Sequence, residues 1–401
     1  MRFSIFTPTH NVKWLGDAYR SLLKQTFKDW EWVLVPNSGA IIPSEISLDE
    51  RVRVIPYQST KIGDLKRFAC EQCRGEYLVE LDHDDLLTND CLQTLSEISA
   101  DFIYSNAFQT DQNWSPILWG EAYGWTSRTG LYEGLTLQEQ ISPAPTPANF
   151  SRIWYAPNHV RVWRRDFYLS IGGHNSLMSV GDDHELLCRT FLNAQSIVHI
   201  DKPLYVYRVH GENSWLSAQN EIDGLQWELC DRYLTPMYES WCDNNHLPRI
   251  DLGGAIDSPS GYITYDRHNA DIVGDLNLTW QLEDSSVGLL RAHDLVEHLK
   301  NPIHTMNEAY RVLTHGGLFD VLVPSTDGKG AWCDPTHISF WNDRSFRYYT
   351  EANMRKYIEP ECCSKFQAVR VSNVTLYDLP YVHARLLAIK DGPRLYGELL
   401  W

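Results

Sequence analysis

The chain has no long apolar run and no excess of positive charge. Nowhere do about 18 consecutive apolar residues occur, the length a membrane-spanning helix needs, so no bilayer span is expected. The opening MRFSIFTPTHN has no basic segment leading into an apolar one, as a secretory signal would. The expected location is therefore the cytoplasm, with its membrane surface as the alternative. A formal net charge of −17 opposes a phosphate backbone, because nucleic-acid binding draws its affinity from Lys and Arg that release counterions. Nucleic acid is not an expected partner, although a short basic cleft could still hold a nucleotide. The nine cysteines include one C-x-x-C, Cys70 and Cys73, with no second pair to complete a zinc site. An odd count spread along the chain fits reduced thiols better than a disulfide framework. Tandem repeats and low-complexity tracts are also missing.

What is present is the composition of a folded globular protein, 43% hydrophobic and 22% charged. At roughly 100–200 residues per domain, 401 residues make two or three domains. The first hundred residues alternate between two periodicities. RFSIFTP, EWVLVPN, VRVIPY, YLVELD and DFIYSNAF read as strands, while Leu15, Ala18, Tyr19, Leu22 and Leu23 mark one helical face. This alternation predicts a mostly parallel sheet with helices on both faces and ligands outside the carboxyl ends of the strands. Residues 109 to 151 lose the pattern and read as a long irregular segment, the kind that is usually functional. Order returns with HVRVWRRDFY, a helix at DDHELLCRTFLNA, a strand at PLYVYRVHG and a helix over residues 213 to 244. A second alternation starts near residue 247, so the expected domains are 1–245 and 246–401. It closes with FQAVRVSNVTLYD and YVHARLLAIKD, read as an antiparallel pair.

The end of the fourth strand, LDHDD, gathers Asp82, Asp84 and Asp85. Such a cluster can be a solvated helix start, a calcium loop, or a divalent-metal site for phosphate. The calcium loop fails, since DHDDLLTND lacks Gly at the sixth position and leads to no Glu at the twelfth. The motifs FSIFTPTHN, VPNSGA, GEYLVELDHDD, GGHNSLMSVGDDHELL and YRVHGENSW follow one another in one domain. Together they resemble the family 2 glycosyltransferases, inverting enzymes of the GT-A fold, over about residues 2 to 220.

The resemblance implies a Rossmann-like nucleotide-diphospho-sugar transferase domain with Mg²⁺ or Mn²⁺ as cofactor. It makes Asp84 the metal-binding acid, Asp82 the acid at the nucleoside, and His210 a residue that completes the metal site or touches the diphosphate. Asp183 becomes the base and Asp182 its neighbour. Pro8, Thr9 and Asn11 lie on the turn that cradles the nucleobase. Asn37 stands where many members carry an acid, which leaves the nucleotide open; a UDP-sugar is the expected donor and a glycan or lipid-linked glycan the acceptor. Lys66 and Arg67 would face the diphosphate, or be plain solvated charges. Trp154, His159, Trp163 and Arg164 precede the base motif, in a region that shapes sugar and acceptor pockets. Trp faces suit sugar rings, and core packing is the ordinary alternative.

The second domain begins IDLGGAIDSPSGYITYD. A Gly-rich turn after a strand admits a ligand to the backbone, and an acid ending the next strand can bind both ribose hydroxyls. With RAHDLVEHLKNP, EAYRVLTHGGLFDVLVPS and DPTHISFWNDRSF, the stretch from about 247 to 392 resembles class I methyltransferases that use S-adenosylmethionine. The resemblance places the cofactor loop at Asp251, Gly253 and Gly254, the ribose acid at Asp266, an adenine-side acid at Asp275, and the turn after the fourth strand at His293 and Asp294. GGA replaces the usual Gly-x-Gly, and the N-terminal lid helices are missing. If a sugar hydroxyl is methylated, His298, Asp334 and His337 are candidate bases. The overall expectation is a two-domain α/β enzyme that transfers a sugar and would O-methylate it. The alternatives are a second domain that is a non-catalytic or acceptor-binding module, and a nucleotide-sugar-binding protein without turnover.

Overall fold

A computed structural model of the chain describes residues 1–120 and 124–390. It divides into two compact units, Met1–Leu234 and Thr235–Trp401. The division falls within the helix Gln219–Asn245, just before Pro236. A proline there removes one intrahelical hydrogen bond.

The first unit holds the strands β1 (Phe3–Thr9), β2 (Trp30–Pro36), β3 (Val52–Val54), β4 (Tyr77–Glu80), β5 (Leu86–Leu87), β6 (Phe102–Asp111), β7 (Thr126–Tyr132), β8 (Leu135–Ile141), β9 (Arg161–Arg164) and β10 (Ile197–Val209). The first five apolar runs of the sequence form strands β1 to β4 and β6. The sheet order is β3-β2-β1-β4-β9-β6-β10-β5, with the β7–β8 hairpin joined to β6 through β8. Only part of it is parallel. Strands β1 to β4 pair in parallel, linked through helices that include Leu15–Leu23 and Ile62–Gln72. β9 then enters antiparallel to both β4 and β6. Between β6 and β9 the chain runs through the β7–β8 hairpin and the short helix Pro147–Phe150.

That hairpin corrects the expectation of an irregular segment over 109 to 151. Its two-residue turn, Glu133 and Gly134, has φ of +48° and +84°, the left-handed pair a tight hairpin requires. β7 is mostly exposed, so it has no apolar alternation to read. Residues 121 to 123 of this segment lie outside the described residues.

β1 and β2 are buried along nearly their whole length, as parallel strands covered on both faces must be. Phe3, Ile5, Trp32, Leu34, Tyr77 and Val79 pack with Leu15, Ala18 and Leu22 in one core.

The second unit carries β11 (Arg249–Leu252), β12 (Ile263–Asp266), β13 (Ile272–Val273), β14 (Val287–His293), β15 (Leu313–Pro324), β16 (Phe366–Leu376) and β17 (Leu379–Ala388). Their order is β13-β12-β11-β14-β15-β17-β16. The first five are parallel, and β17 pairs antiparallel with both β15 and β16, the closing pair the sequence suggests. The order reverses between β11 and β14, and this switch opens a crevice at the carboxyl ends of the two strands. Asp391, at the end of the expected last strand run, lies outside the described residues.

Candidate active site

The first unit contains a cavity of about 600 Å³ at the carboxyl ends of β1, β2 and β4. Its wall includes Pro8, Thr9, Asn11, Asn37, Lys66, Asp82, Asp84, Trp154, His159, Asp182, Asp183 and His210. Residues spread over two hundred positions thus meet in one space.

The LDHDD turn is held by the acid that had no assigned role. Asp85 is buried and accepts hydrogen bonds from the Tyr205 hydroxyl (2.9 Å) and the Arg208 backbone N–H (2.7 Å). Tyr205 in turn accepts from the Asp82 N–H at 3.1 Å, and the Thr7 hydroxyl donates to the Leu81 carbonyl at 2.6 Å. Burial, with Asp84 and Asp82 close by, pushes the Asp85 carboxyl up. These bonds tie the turn to β10, whose next residue is His210. His210 Nε2 lies 2.7 Å from Asp84 Oδ2. His83 stacks edge-on with His10, ring centroids 5.0 Å apart.

A carboxylate beside an imidazole suits a transition-metal cation such as Mn²⁺ better than Mg²⁺, which prefers carboxylates and water. A second group, Glu80, Asp82 and His159, is also close enough to share an ion. Glu80 there already faces Lys66 Nζ at 2.6 Å and Arg161 Nε at 2.9 Å, so a further cation would be repelled. Asp84 and His210 are the pair that fit.

The acid pair opens the helix Asp182–Asn193. Gly181, at its N-cap, has φ of +67°, a conformation other residues resist. A Cβ on Gly63 would lie 3.2 Å from Asp182 Cβ and 2.1 Å from the Asn175 carbonyl oxygen, so glycine lets the helix Ile62–Gln72 approach this closely. Asp182 is 4% exposed and sits 3.9 Å from Lys66 Nζ and 3.7 Å from His174 Nε2. Burial raises its carboxyl to about 6, against the pull of Lys66. Asp183 is 30% exposed and pairs with Arg161 Nη1 at 2.7 Å. That guanidinium, with Lys66, outweighs burial and holds the Asp183 carboxyl well below the usual range. Asp82 moves the other way, to about 7, because burial and the neighbouring Glu80 and Asp84 outweigh Lys66.

His159 is buried, and its ring stacks on Tyr205 at 4.8 Å. Burial and the Arg161 charge lower it to about 3, so it is neutral. Its Nε2 accepts from Arg161 Nη2 at 2.7 Å, which leaves the proton on Nδ1, 3.2 Å from Asn158 Oδ1. Arg161 therefore joins Glu80, His159 and Asp183.

Other expectations shift in place. Asn37 donates from Nδ2 to the Ser59 carbonyl at 3.0 Å and so ties two loops of the cavity wall. Thr9 donates to the Asn11 carbonyl at 2.8 Å. Lys66 and Arg67 part company: Lys66 is buried among acids, while Arg67 pairs with Glu71 on the exposed face. Trp163 does not line the cavity. It is fully buried, donates to Thr190 Oγ1 at 3.0 Å and packs on Phe102, because the inward face of β9 forms core there. Arg164 pairs with Asp101 at 3.6 Å. Trp154 does line the cavity, with its indole donating to Asp223 at 3.0 Å. Trp14, Trp119, Trp125 and Trp215 join it on the wall.

In the second unit the expected residues gather at the carboxyl ends of β11, β12, β13 and β14. Asp251 is fully buried, and its carboxylate is closed by Arg291 Nη1 at 2.8 and 2.9 Å. Gly253, with φ of +78°, donates its N–H to the Tyr265 carbonyl at 2.8 Å. A Cβ on Gly254 would meet Asp251 Oδ2 at 2.5 Å. Asp266 ends β12 and accepts from the Arg267 N–H. Asp275 is held near 2 by the Asn277 amides and Arg267. His293 lies 3.4 Å from Asp320, which His383 also meets at 2.6 Å. Asp294, with φ of +49°, donates its N–H to the Leu322 carbonyl at 2.9 Å.

The buried C-x-x-C carries no such chemistry. Burial raises the Cys70 thiol and lifts Cys73 to about 12, so neither is a ready thiolate.

A strand-end acid turn thus faces a histidine, with an acid pair at a helix start on the wall of the same cavity. The family model described as Glycosyl transferase family 2 matches residues 4–149. Glycosyltransferase GlyG of Streptococcus pneumoniae serotype 4 is 28% identical over 218 residues, covering 51% of this chain and 70% of that protein. Poly(ribitol-phosphate) beta-N-acetylglucosaminyltransferase TarS of Staphylococcus aureus is 23% identical over 239 residues, covering 54% of this chain but only 37% of that protein. A crystal structure of S. aureus TarS 1-349 in complex with UDP-GlcNAc aligns with 61% of this chain and 73% of that one, at 17% identity and a TM-score of 0.43. The family model and the named relatives support a family 2 glycosyltransferase domain in the first unit.

Proposed function

We propose that the protein is a metal-dependent inverting glycosyltransferase of the GT-A type, whose first unit moves a sugar from a nucleotide-sugar donor to a glycan acceptor. The observation that carries this is the cavity that joins Asp84 and His210 to the more exposed of two helix-start acids, Asp183. A divalent cation held by Asp84 and His210 would neutralise the leaving diphosphate. In the transfer itself, the acceptor oxygen bonds to the anomeric carbon as the bond to the diphosphate breaks. The hydroxyl proton passes to a carboxylate on the opposite side. Asp183 takes that role: it is ionised and 30% exposed, whereas Asp182, on the same wall, is 4% exposed and its carboxyl is raised to about 6 by burial. Asp82 and the turn at Pro8, Thr9 and Asn11 bind the nucleoside, and the wall of Trp154, Trp119 and Trp215 stacks on sugar rings.

A panel of UDP, GDP, dTDP and CMP sugars, assayed with Mn²⁺ and with EDTA, tests the reading. UDP-sugars come first in it, and the name of the TarS relative puts N-acetylglucosamine first among the sugars. Transfer by the wild type and none by Asp183→Asn is expected. Undiminished transfer by Asp183→Asn would remove Asp183 as the base.

For the second unit, the doubly wound strand order favours a nucleotide-like ligand at the switch between β11 and β14. The reading is an S-adenosylmethionine-binding, methyltransferase-like unit, with Gly253, Gly254 and Asp266 at the cofactor and His293 and Asp294 beside it. Calorimetric titration of the full chain with S-adenosylmethionine, with Asp266→Ala as control, tests this. No heat from the wild type would leave a structural or acceptor-binding module.

A further inference from the structure

Beyond either reading of the second unit, Glu297, His298 and His337 form an arrangement that the proposed functions leave unused. Glu297 and His298 lie on the short turn Val296–His298 that follows β14, and His337 follows the helix Gly330–Cys333. One ligand atom of each comes within 4.8 Å of the other two. Glu297 is 2% exposed, yet neither carboxylate oxygen has a hydrogen-bond partner. A buried, unpartnered carboxylate is costly unless a cation meets it. His337 Nε2, at 3.9 Å, is the only ion-pair contact to it among the described residues.

Both imidazoles present a lone pair. His337 Nδ1 lies 3.1 Å from the Ala331 carbonyl oxygen, so it carries the proton and leaves Nε2 bare. His298 Nδ1 lies 3.2 Å from the Thr336 carbonyl and 3.1 Å from Thr336 Oγ1. That hydroxyl already donates to Asp334 at 2.6 Å, so Nδ1 is again the donor and Nε2 again bare. A second ring nitrogen bonded to a carbonyl is how metal-binding histidines are oriented. The rings sit edge to face, centroids 4.9 Å apart. Asp334 Oδ2, 3.9 Å from His337 Nε2, adds negative charge on the open side.

We propose that Glu297, His298 and His337 bind one divalent transition-metal ion of the zinc class, with a coordination position left for an oxygen ligand. Two imidazoles and a carboxylate are a donor set for Zn²⁺ or Co²⁺ rather than Mg²⁺ or Ca²⁺. Tetrahedral ligand atoms at about 2.0–2.1 Å from the ion lie roughly 3.3 Å apart, so the 3.9 Å gap closes by a small side-chain movement. The two histidines then act as ligands, not as free bases for methyl transfer.

The test is titration of chelator-treated full-length protein with Co²⁺, followed by visible absorption. It is done in an Asp84→Asn background, so that the first unit does not contribute. One equivalent with the intense bands of a four- or five-coordinate site is expected. Glu297→Gln and His337→Gln in that background should each weaken binding at least tenfold while circular dichroism stays native. Zn²⁺ should raise the Tm of the parent and leave that of Glu297→Gln unmoved. No such band in the parent, or equal affinity in a folded Glu297→Gln variant, would overturn the proposal.

Discussion

Arg161 Nη1 lies 2.7 Å from Asp183 Oδ2 while Nε of the same guanidinium lies 2.9 Å from Glu80. One planar cation therefore ties the strand-end acid of β4 to the proposed base. With Lys66 it keeps Asp183 ionised throughout the range in which the protein would work. Lysine cannot reproduce this, because a single ammonium cannot span three partners in a fixed fork. Arg161→Lys is expected to lower kcat at least tenfold while the protein still folds. The measurement is steady-state kinetics beside circular dichroism, and an unchanged kcat would show that Arg161 does not position Asp183.

Asp182 gives a pH-dependent stability with a definite sign. Its folded carboxyl sits at about 6, above the ordinary value of about 4 that it has when unfolded. Below about pH 4 it is protonated in both states. Between about 4 and 6 the unfolded chain loses the proton first, so stability falls as pH rises and then levels. Asp182→Asn removes the effect. Its stability relative to wild type should grow by about 1–3 kcal/mol between about pH 4 and pH 7, read from urea unfolding. A gap that stays constant with pH would show that Asp182 does not carry the shift.

The sequence displayed the acids and the histidine of this site because each stands at the end of a strongly apolar strand or at the start of an amphipathic helix. Asp82, Asp84, Asp183 and His210 meet accordingly. Arg161 was not visible. In HVRVWRR it reads as one more charge, and only the placement of β9 between β4 and β6 turns it inward beside Glu80. Asp85 was unreadable for a similar reason, since its partners Tyr205 and Arg208 lie over a hundred residues away. Trp163 misled because core and sugar-facing tryptophans look alike in sequence. Trp119, Trp125 and Trp215 carry no periodicity at all.

Asp84 and His210 make the metal requirement testable. If both hold the ion, His210→Ala should weaken Mn²⁺ at least tenfold, yet leave transfer recoverable at high Mn²⁺, since one carboxylate and the diphosphate remain. Asp84→Asn should not be recovered. The readout is transfer rate against Mn²⁺ concentration. Identical curves for His210→Ala and wild type would remove the histidine from the metal and leave it a positioning partner of Asp84.

Gly181 separates backbone strain from site geometry. Its φ of +67° costs an alanine about 1–2 kcal/mol, and a Cβ there would approach Leu225 Cδ2 to 2.4 Å. Gly134 is the control: its φ is +84°, and an added Cβ there would meet nothing within 4 Å. Gly134→Ala should therefore lose about 1–2 kcal/mol of stability, and Gly181→Ala at least as much, since Leu225 must also move. Only Gly181→Ala should also lower kcat, by severalfold or more, because the residue after Gly181 is the first of the helix that carries Asp182 and Asp183. KM for the donor should hold, since Asp82 and Asp84 sit on a different loop anchored by Asp85 and Tyr205. Parallel unfolding curves and kinetics on the two variants decide this. Equal kcat values would mean that the start of the helix tolerates displacement, and that Asp183 does not depend on the left-handed turn before it.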